Sequence, residues 1–207
     1  MWELVMNLSL SDQHRINAAI KAAEAKTSGE IVGVIAGSSS DYMIYPIGWA
    51  ALGALLAPWI LIALTHLSVQ RIFLIQLVVF VSLFLCLSTP WLRPFLVPRR
   101  VQRRQAHRAA MEQFMIRGMA RKHNRAGVLI FVSLTEHYAR IVADDGIAAK
   151  VTQTVWQEAI DGLLEHIREG RIADGFLSAI EKCSAVLATH FPPGETQDEL
   201  PDRVYVI

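Results

Sequence analysis

Two adjacent aspartates, Asp144 and Asp145, are the residues in this sequence best suited by type to bind a metal ion. They follow the apolar run HYARIVA and precede Gly146, which places them in a loop where a strand ends. Carboxylate and carbonyl oxygens, completed by water, are the ligands of a hard divalent cation such as calcium. The alternative is structural, with a turn at Asp145-Gly146 and Asp144 either capping the next helix or pairing with Arg125.

Glu136 and His137 are further candidate ligands by residue type, but the predicted strand separates them from the aspartates. A strand of about seven residues, rising about 3.3 Å per residue, holds Glu136 roughly 20 Å from Asp144. The sequence therefore predicts that one metal ion cannot be bound by both groups.

Known catalytic signatures are mostly absent from the sequence. There is no Walker loop, no G-x-S-x-G, no H-E-x-x-H, no C-x-x-C and no D-x-D-x-T/V motif, and no two histidines are four residues apart. The two cysteines, Cys86 and Cys183, cannot build a disulfide framework and fit a reducing compartment. We therefore assign no catalytic residue.

Two long apolar segments interrupt the chain, which is 53% hydrophobic overall. The segments run over about residues 46–67 and 72–92, and neither carries a charge apart from His66. Each has about the twenty residues that a helix needs to cross the hydrocarbon core of a bilayer. Only residues 68–71 separate them, so we predict a transmembrane helical hairpin that returns the chain to the side it left.

An arginine-rich segment follows the second apolar run. It contains six arginines near the predicted membrane surface: Arg93, Arg99, Arg100, Arg103, Arg104 and Arg108. The turn between the spans holds one, Arg71. By the positive-inside rule both termini are predicted to be cytoplasmic, at a bacterial inner membrane. Anionic headgroups would be the partners of these arginines, at about 1 kcal/mol per basic residue.

A nucleic-acid patch is the alternative, but the segment lacks interleaved aromatic residues and a recognisable binding motif. We therefore predict no nucleic-acid partner.

The remaining sequence predicts helices and strands on both sides of the hairpin. A helix over about residues 11–26 precedes the strand EIVGVIA, and a helix over about 102–122 precedes the strand GVLIFVSL. HYARIVA returns antiparallel, and two amphipathic helices follow. Neither part can close a core alone, so we predict one α/β domain, a three-layer α/β/α sandwich with a small mixed sheet. Its two parts are residues 1–40 and 96–191, the hairpin is residues 41–95, and residues 192–207 form an acidic, Pro-rich tail that wraps over the surface or is loosely ordered.

The predicted topology separates the candidate residues. The first two strands run parallel through a right-handed crossover, and the third returns beside the second. Asp144 and Asp145 should therefore lie with Thr27-Ser28-Gly29 and the loop of Asn124 and Arg125 at the end of the sheet away from the membrane. Glu136 and His137 should lie at the opposite end.

The segments KTSGEIVGVIA, AGVLIFVSLTEHYARIVADDGIAAKV and GRIADGFLSAIEKC resemble the TPM domain family. The matching residues are Gly29, Gly127, Arg140, Gly146, Gly170 and Gly175. The resemblance implies an α/β/α sandwich of a family that is sometimes described as an acid phosphatase or as binding divalent cations, and that often assists membrane complexes.

The chain departs from that family in two ways. Most members place the domain outside the cytoplasm with the anchor after it, whereas this chain inserts the anchor and points its arginines inward. The loop Asn124-Arg125-Ala126-Gly127 also has a cation where relatives have a carboxylate. We predict an inner-membrane accessory protein whose cytoplasmic TPM-like domain binds a membrane or cytoplasmic protein. The alternative is a divalent-cation-dependent phosphatase that uses Asp144 and Asp145.

Overall fold

The computed structural model describes residues 9–40, 42–89, 92–119, 126–194, 201 and 203–207, without the side chains of residues 93 and 94. The chain divides into two compact units. The first is Met1–Ser39 with Arg103–Ile207, and the second is Ser40–Gln102. The elements in chain order are α1 (Leu10–Glu24), β1 (Glu30–Ala36), α2 (Ile44–Leu64), α3 (Val69–Leu87), α4 (Arg93–Leu96), α5 (Arg99–Ile116), β2 (Gly127–Ser133), β3 (Tyr138–Ala143), α6 (Asp145–Ala148), α7 (Gln153–Arg168), α8 (Ile172–His190) and β4 (Val204–Val206).

The first unit is built on a four-stranded mixed sheet in the order β3-β2-β1-β4. β1 and β2 are parallel, with Glu30 opposite Gly127 and Ala36 opposite Ser133. β3 lies antiparallel to β2, with Ser133 opposite Tyr138. Every residue of β1 and β2 is buried, as expected for central strands with helices on both faces. The predicted mixed α/β fold and these two strand pairings are confirmed.

The end of the chain differs from the prediction, because Val204–Val206 forms strand β4 parallel to β1. Gly37 N donates to Ile207 O and Ile207 N donates to Ile35 O, both at 2.9 Å. Val204 N donates to Asn17 Oδ1 at 2.8 Å, and the Val204 side chain is buried. The prediction of a surface or loosely ordered tail was therefore wrong for these residues. RVYVI is rich in β-branched residues, which favour a strand, and it pairs with the edge of β1 that β2 leaves open.

Helices cover both faces of the sheet. On one face, α1, α7 and α8 contribute Ile16, Ile20, Leu163 and Phe176 to a core that includes Ile31. On the other face, α5 contributes Ala110 and Phe114, which pack with Val34 and Phe131. Each fully buried Ile or Phe side chain contributes about 1.5–3 kcal/mol. The result is the predicted three-layer arrangement.

The helix ends have local causes. Ser9 caps α1, because its Oγ accepts from Asp12 N at 3.0 Å. α5 begins at Arg99, three residues before the predicted start, and Val101 N donates to Pro98 O. It ends at Ile116, and Gly118 follows with a φ of 74°, a conformation that glycine adopts readily. The predicted end at Lys122 lies outside the described residues.

The second unit contains α2 and α3, which pack against each other. Small residues allow the close approach, because a Cβ on Gly53 would lie 2.6 Å from Leu83 Cδ1 and the neighbouring Ala50 and Ala54 are buried. The remaining apolar side chains are largely exposed. Both helices are long and apolar enough to span a bilayer. They begin two or three residues before the predicted spans and also end earlier, since Thr65 is extended with φ −140° and Leu87 is the last helical residue.

Candidate functional site

Asp144 forms the connection between β3 and the short helix α6. Its N–H donates to Gly127 O at 3.0 Å, and its carbonyl oxygen accepts from Ile147 N and Ala148 N at 2.9 Å. The side-chain Oδ1 accepts from Asp145 N at 2.7 Å. Asp144 is buried, whereas Asp145 is exposed. Asp144 therefore caps α6, as the structural alternative to a metal site predicted. Its predicted partner Arg125 lies outside the described residues.

The second side-chain oxygen of Asp144 does not take part in capping α6. Asp144 Oδ2 is buried and has no hydrogen-bond partner within the part of the chain that the structure describes. The buried Glu30 lies opposite Gly127, to which Asp144 is also bonded. Side chains alternate along a strand, so both carboxylates point to the α5 face on either side of this glycine. A Cβ on Gly127 would lie 2.9 Å from Met119 Sδ.

These carboxylates are the residues that could hold a cation at this end of the sheet. No group of three or more His, Cys, Asp or Glu side chains with metal-binding geometry occurs among the described residues. The metal site at Asp144 and Asp145 stays a prediction. Glu30 and Asp144 are better placed to share a cation than the predicted pair Asp144 and Asp145, because the Asp145 side chain is exposed.

The predicted separation of the two sheet ends is confirmed. The loop of Thr27, Ser28 and Gly29 lies at the same end as Asp144, because Glu30 N donates to Ala126 O at 3.0 Å. Thr27 fixes the loop by donating its hydroxyl to Phe191 O at 2.5 Å and accepting from Gly29 N at 3.0 Å. Glu136 lies at the opposite end, beyond the paired Ser133 and Tyr138.

Glu136 is the centre of a polar cluster that was not predicted from the sequence. Its carboxylate is buried and accepts from Ser39 N at 3.0 Å, from Ser38 Oγ at 3.2 Å, and from Ser133 Oγ. Ser39 Oγ also donates to Ser133 Oγ at 2.8 Å. The cluster joins the segment after β1 to the turn after β2. The signal that could have revealed it is the run of serines after one strand and the glutamate after its parallel neighbour.

The basic segment is mostly helical and exposed. Arg99, Arg100, Arg103, Arg104 and Arg108 lie on the exposed side of α5, and the side chain of Arg93 is outside the described set. The opposite side of α5, with Ala106, Ala110 and Phe114, is buried. The arginines are thus accessible to anionic groups, and their contact with lipid headgroups stays a prediction.

A groove of about 550 Å³ runs along β3 in the first unit. β3 is an edge strand of the sheet and supplies the groove with residues 138–143. Arg103 and Met111 of α5 line one side, and Trp156, Ile160 and other residues of α6, α7 and their connection line the other. The described lining residues include no Asp or Glu. This groove is the second candidate site of the domain and was not predicted from the sequence.

Arg140 is the central charge of the groove. It is partly buried, and its Nε is fully buried without a hydrogen-bond partner in the described ranges. Partial desolvation lowers the pKa of the nearby His107, and the positive charge of Arg140 lowers that pKa further. Arg140 therefore places a positive charge on the α5 face of the edge strand.

Comparison with known proteins agrees with the fold. Residues 95–186 match the TPM domain family. The NMR structure of the BA42 protein from the psychrophilic bacterium Bizionia argentinensis is similar, with a TM-score of 0.60 and 19% sequence identity, over 97% of this chain and 96% of that chain. No curated protein matches this sequence. The domain match over residues 95–186 and the shared fold confirm the predicted resemblance to the TPM domain family.

Proposed function

We propose that this protein is a bacterial inner-membrane accessory protein whose TPM domain binds a partner protein. The observation that carries the proposal is the groove along β3, where the unpaired edge of a sheet lies open between helices. Sheet edges of this kind are usually covered, charged or kept short, because they pair readily with another chain. An open edge within a groove is therefore a recognition surface.

The two apolar helices of the second unit would supply the membrane anchor. With the arginines of α5 on the cytoplasmic side, the hairpin would leave both termini in the cytoplasm. A reporter that is active only in the cytoplasm, fused after Ile207, is expected to be active. Activity of a periplasm-specific reporter at the same position would contradict this topology.

Partner binding is tested by site-specific photo-crosslinking in cells. We would replace Met111, which lines the groove, with a photoreactive amino acid, and use the same replacement at Glu181, which is exposed on α8 outside the groove. We expect a discrete crosslinked protein at position 111 that is absent at position 181. Crosslinks at neither position, or equally at both, would count against the proposed function.

Cation-dependent phosphatase activity is a second candidate function. It is favoured by the buried Asp144 Oδ2, which lacks a hydrogen-bond partner within the described residues, and by Glu30 on the same face. Purified protein would be assayed for phosphomonoester hydrolysis with added calcium, magnesium or manganese. We expect Asp144→Asn to remove any activity and the exposed Asp161→Asn to retain it. Activity that is absent, or unchanged in Asp144→Asn, would exclude this function for the site.

A further inference from the structure

We propose that the free edge of β3 binds an extended, acidic segment of the partner as an additional strand of the sheet. This inference rests on the proposed partner binding and specifies the chemistry of the bound segment. Strand addition supplies main-chain hydrogen bonds for affinity, while the side chains on either side of the strand determine specificity.

The pairing of β3 with β2 shows which main-chain groups face the groove. In an antiparallel pair, hydrogen-bonded and non-hydrogen-bonded positions alternate. Asp144 N bonds to Gly127 O, so the pairs two and four residues further along, Val142 with Leu129 and Arg140 with Phe131, are also hydrogen-bonded. The N–H and C=O groups of Ala139, Ile141 and Ala143 consequently point away from β2. These three residues can pair with a new strand.

The positive charge of the groove favours a negatively charged segment of the partner. Arg140 and Arg103 line it, the exposed His137 lies at one end, and no described lining residue is acidic. The buried Nε of Arg140 has no hydrogen-bond partner among the described residues, and a carboxylate at that position would satisfy it with a charge-assisted hydrogen bond. Desolvation and, after it, the positive charge of Arg140 lower the pKa of the nearby His107.

The two walls of the groove require different side chains on the bound segment. Arg140 lies on the α5 side of the sheet, whereas Ala139 and Ile141 point to the side of α7, where Trp156 and Ile160 line the groove. A strand added to β3 has the same alternation of side chains. Its acidic residues would face Arg140, and its apolar residues would contact Trp156. The bound segment therefore alternates acidic and apolar residues.

A second copy of this chain is a poorer occupant. Pairing of β3 with another β3 would bring two Arg140 side chains into one groove, and like charges on facing strands are destabilising. The positive groove instead matches a segment rich in Asp or Glu.

The probe that tests the inference is a peptide of about eight residues in which Glu and Val alternate, capped at both ends, long enough to span β3. Its binding to the full chain in mild detergent would be measured by fluorescence anisotropy at fixed salt. We expect binding that weakens by about tenfold or more in Arg140→Glu and changes by less than about twofold in Arg108→Glu. Arg108 is exposed on α5 and does not line the groove, so it controls for general electrostatic attraction.

Two altered peptides test the same point on the unchanged protein, so that misfolding of a variant cannot explain the result. A peptide with Lys in place of Glu is expected not to bind. A peptide that is N-methylated on its strand-pairing edge keeps its side chains but loses main-chain donors, and it is also expected not to bind. No binding of the Glu–Val peptide at millimolar concentration, equal loss in Arg108→Glu, or undiminished binding of the N-methylated peptide would overturn the inference.

The outcomes separate this inference from the proposed function. Crosslinks at position 111 in cells, without binding of the peptide, would support the partner protein but contradict the addition of an acidic strand. Peptide binding without crosslinks in cells would support the addition of an acidic strand to β3 but contradict the proposed partner protein.

Discussion

The buried carboxylate of Glu136 is predicted to hold the segment after β1 in place, and its removal should release that segment. In Glu136→Ala, the hydroxyl of Ser133, which is fully buried, and the N–H of Ser39 lose their acceptor. Ser38 and Ser39 are partly exposed and can turn their hydroxyls to water. Hydrogen bonds to a charged group contribute about 1.5–3 kcal/mol each, and the Ser133 hydroxyl and the Ser39 N–H each lose one such bond, taken at the lower end of that range. We therefore expect a loss of about 3 kcal/mol.

Hydrogen exchange measured by mass spectrometry or NMR on the full chain in detergent would show this effect locally. A loss of about 3 kcal/mol corresponds to about a hundredfold faster exchange of the Ser39 amide, since about 1.4 kcal/mol is a factor of ten. The control is Glu158→Ala, which removes an exposed carboxylate from α7. An unchanged exchange rate of Ser39 in Glu136→Ala, or the same increase in the control, would refute the role of the cluster.

Three further predictions concern the core and the sheet. Phe176→Ala removes a fully buried ring and should lower the free energy of unfolding by about 3–5 kcal/mol, whereas Leu10→Ala at an exposed position should leave the melting temperature unchanged. Burial raises the pKa of Cys183 to about 12, so in a Cys86→Ala background this thiol should resist alkylation at pH 8 until the protein is unfolded; rapid labelling of the folded protein would contradict its burial. Deletion of residues 203–207 removes β4 and should speed hydrogen exchange along β1, and unaltered exchange there would show that β4 is dispensable.

Much of the sheet was predictable because its signals are local. β1 and β2 are continuous apolar runs, and such runs form central strands when helices cover both faces. The short turn between β2 and β3 requires antiparallel pairing, and the long connection from β1 to β2 permits parallel pairing. The placement of Asp144 near Thr27 and away from Glu136 followed from this order of strands alone.

The candidate sites were harder to predict because they depend on contacts between distant residues. The Glu136 cluster joins serines that lie more than ninety residues apart in the sequence, and no local pattern specifies that contact. β4 follows an acidic, Pro-rich segment whose composition obscures the strand signal of RVYVI. The groove lies between α5 and α7, which flank the edge strand β3 but come from segments about forty residues apart, so no local pattern specifies it.

The most direct test of partner recognition along β3 is the protection of individual main-chain amides when the Glu–Val peptide binds. The N–H groups of Ala139, Ile141 and Ala143 face the groove, whereas those of Arg140 and Val142 already bond to β2. We predict that peptide binding slows the hydrogen exchange of the first three amides and leaves the other two little changed. Exchange at Ala139, Ile141 and Ala143 that stays unchanged with the peptide bound would contradict strand addition at this edge.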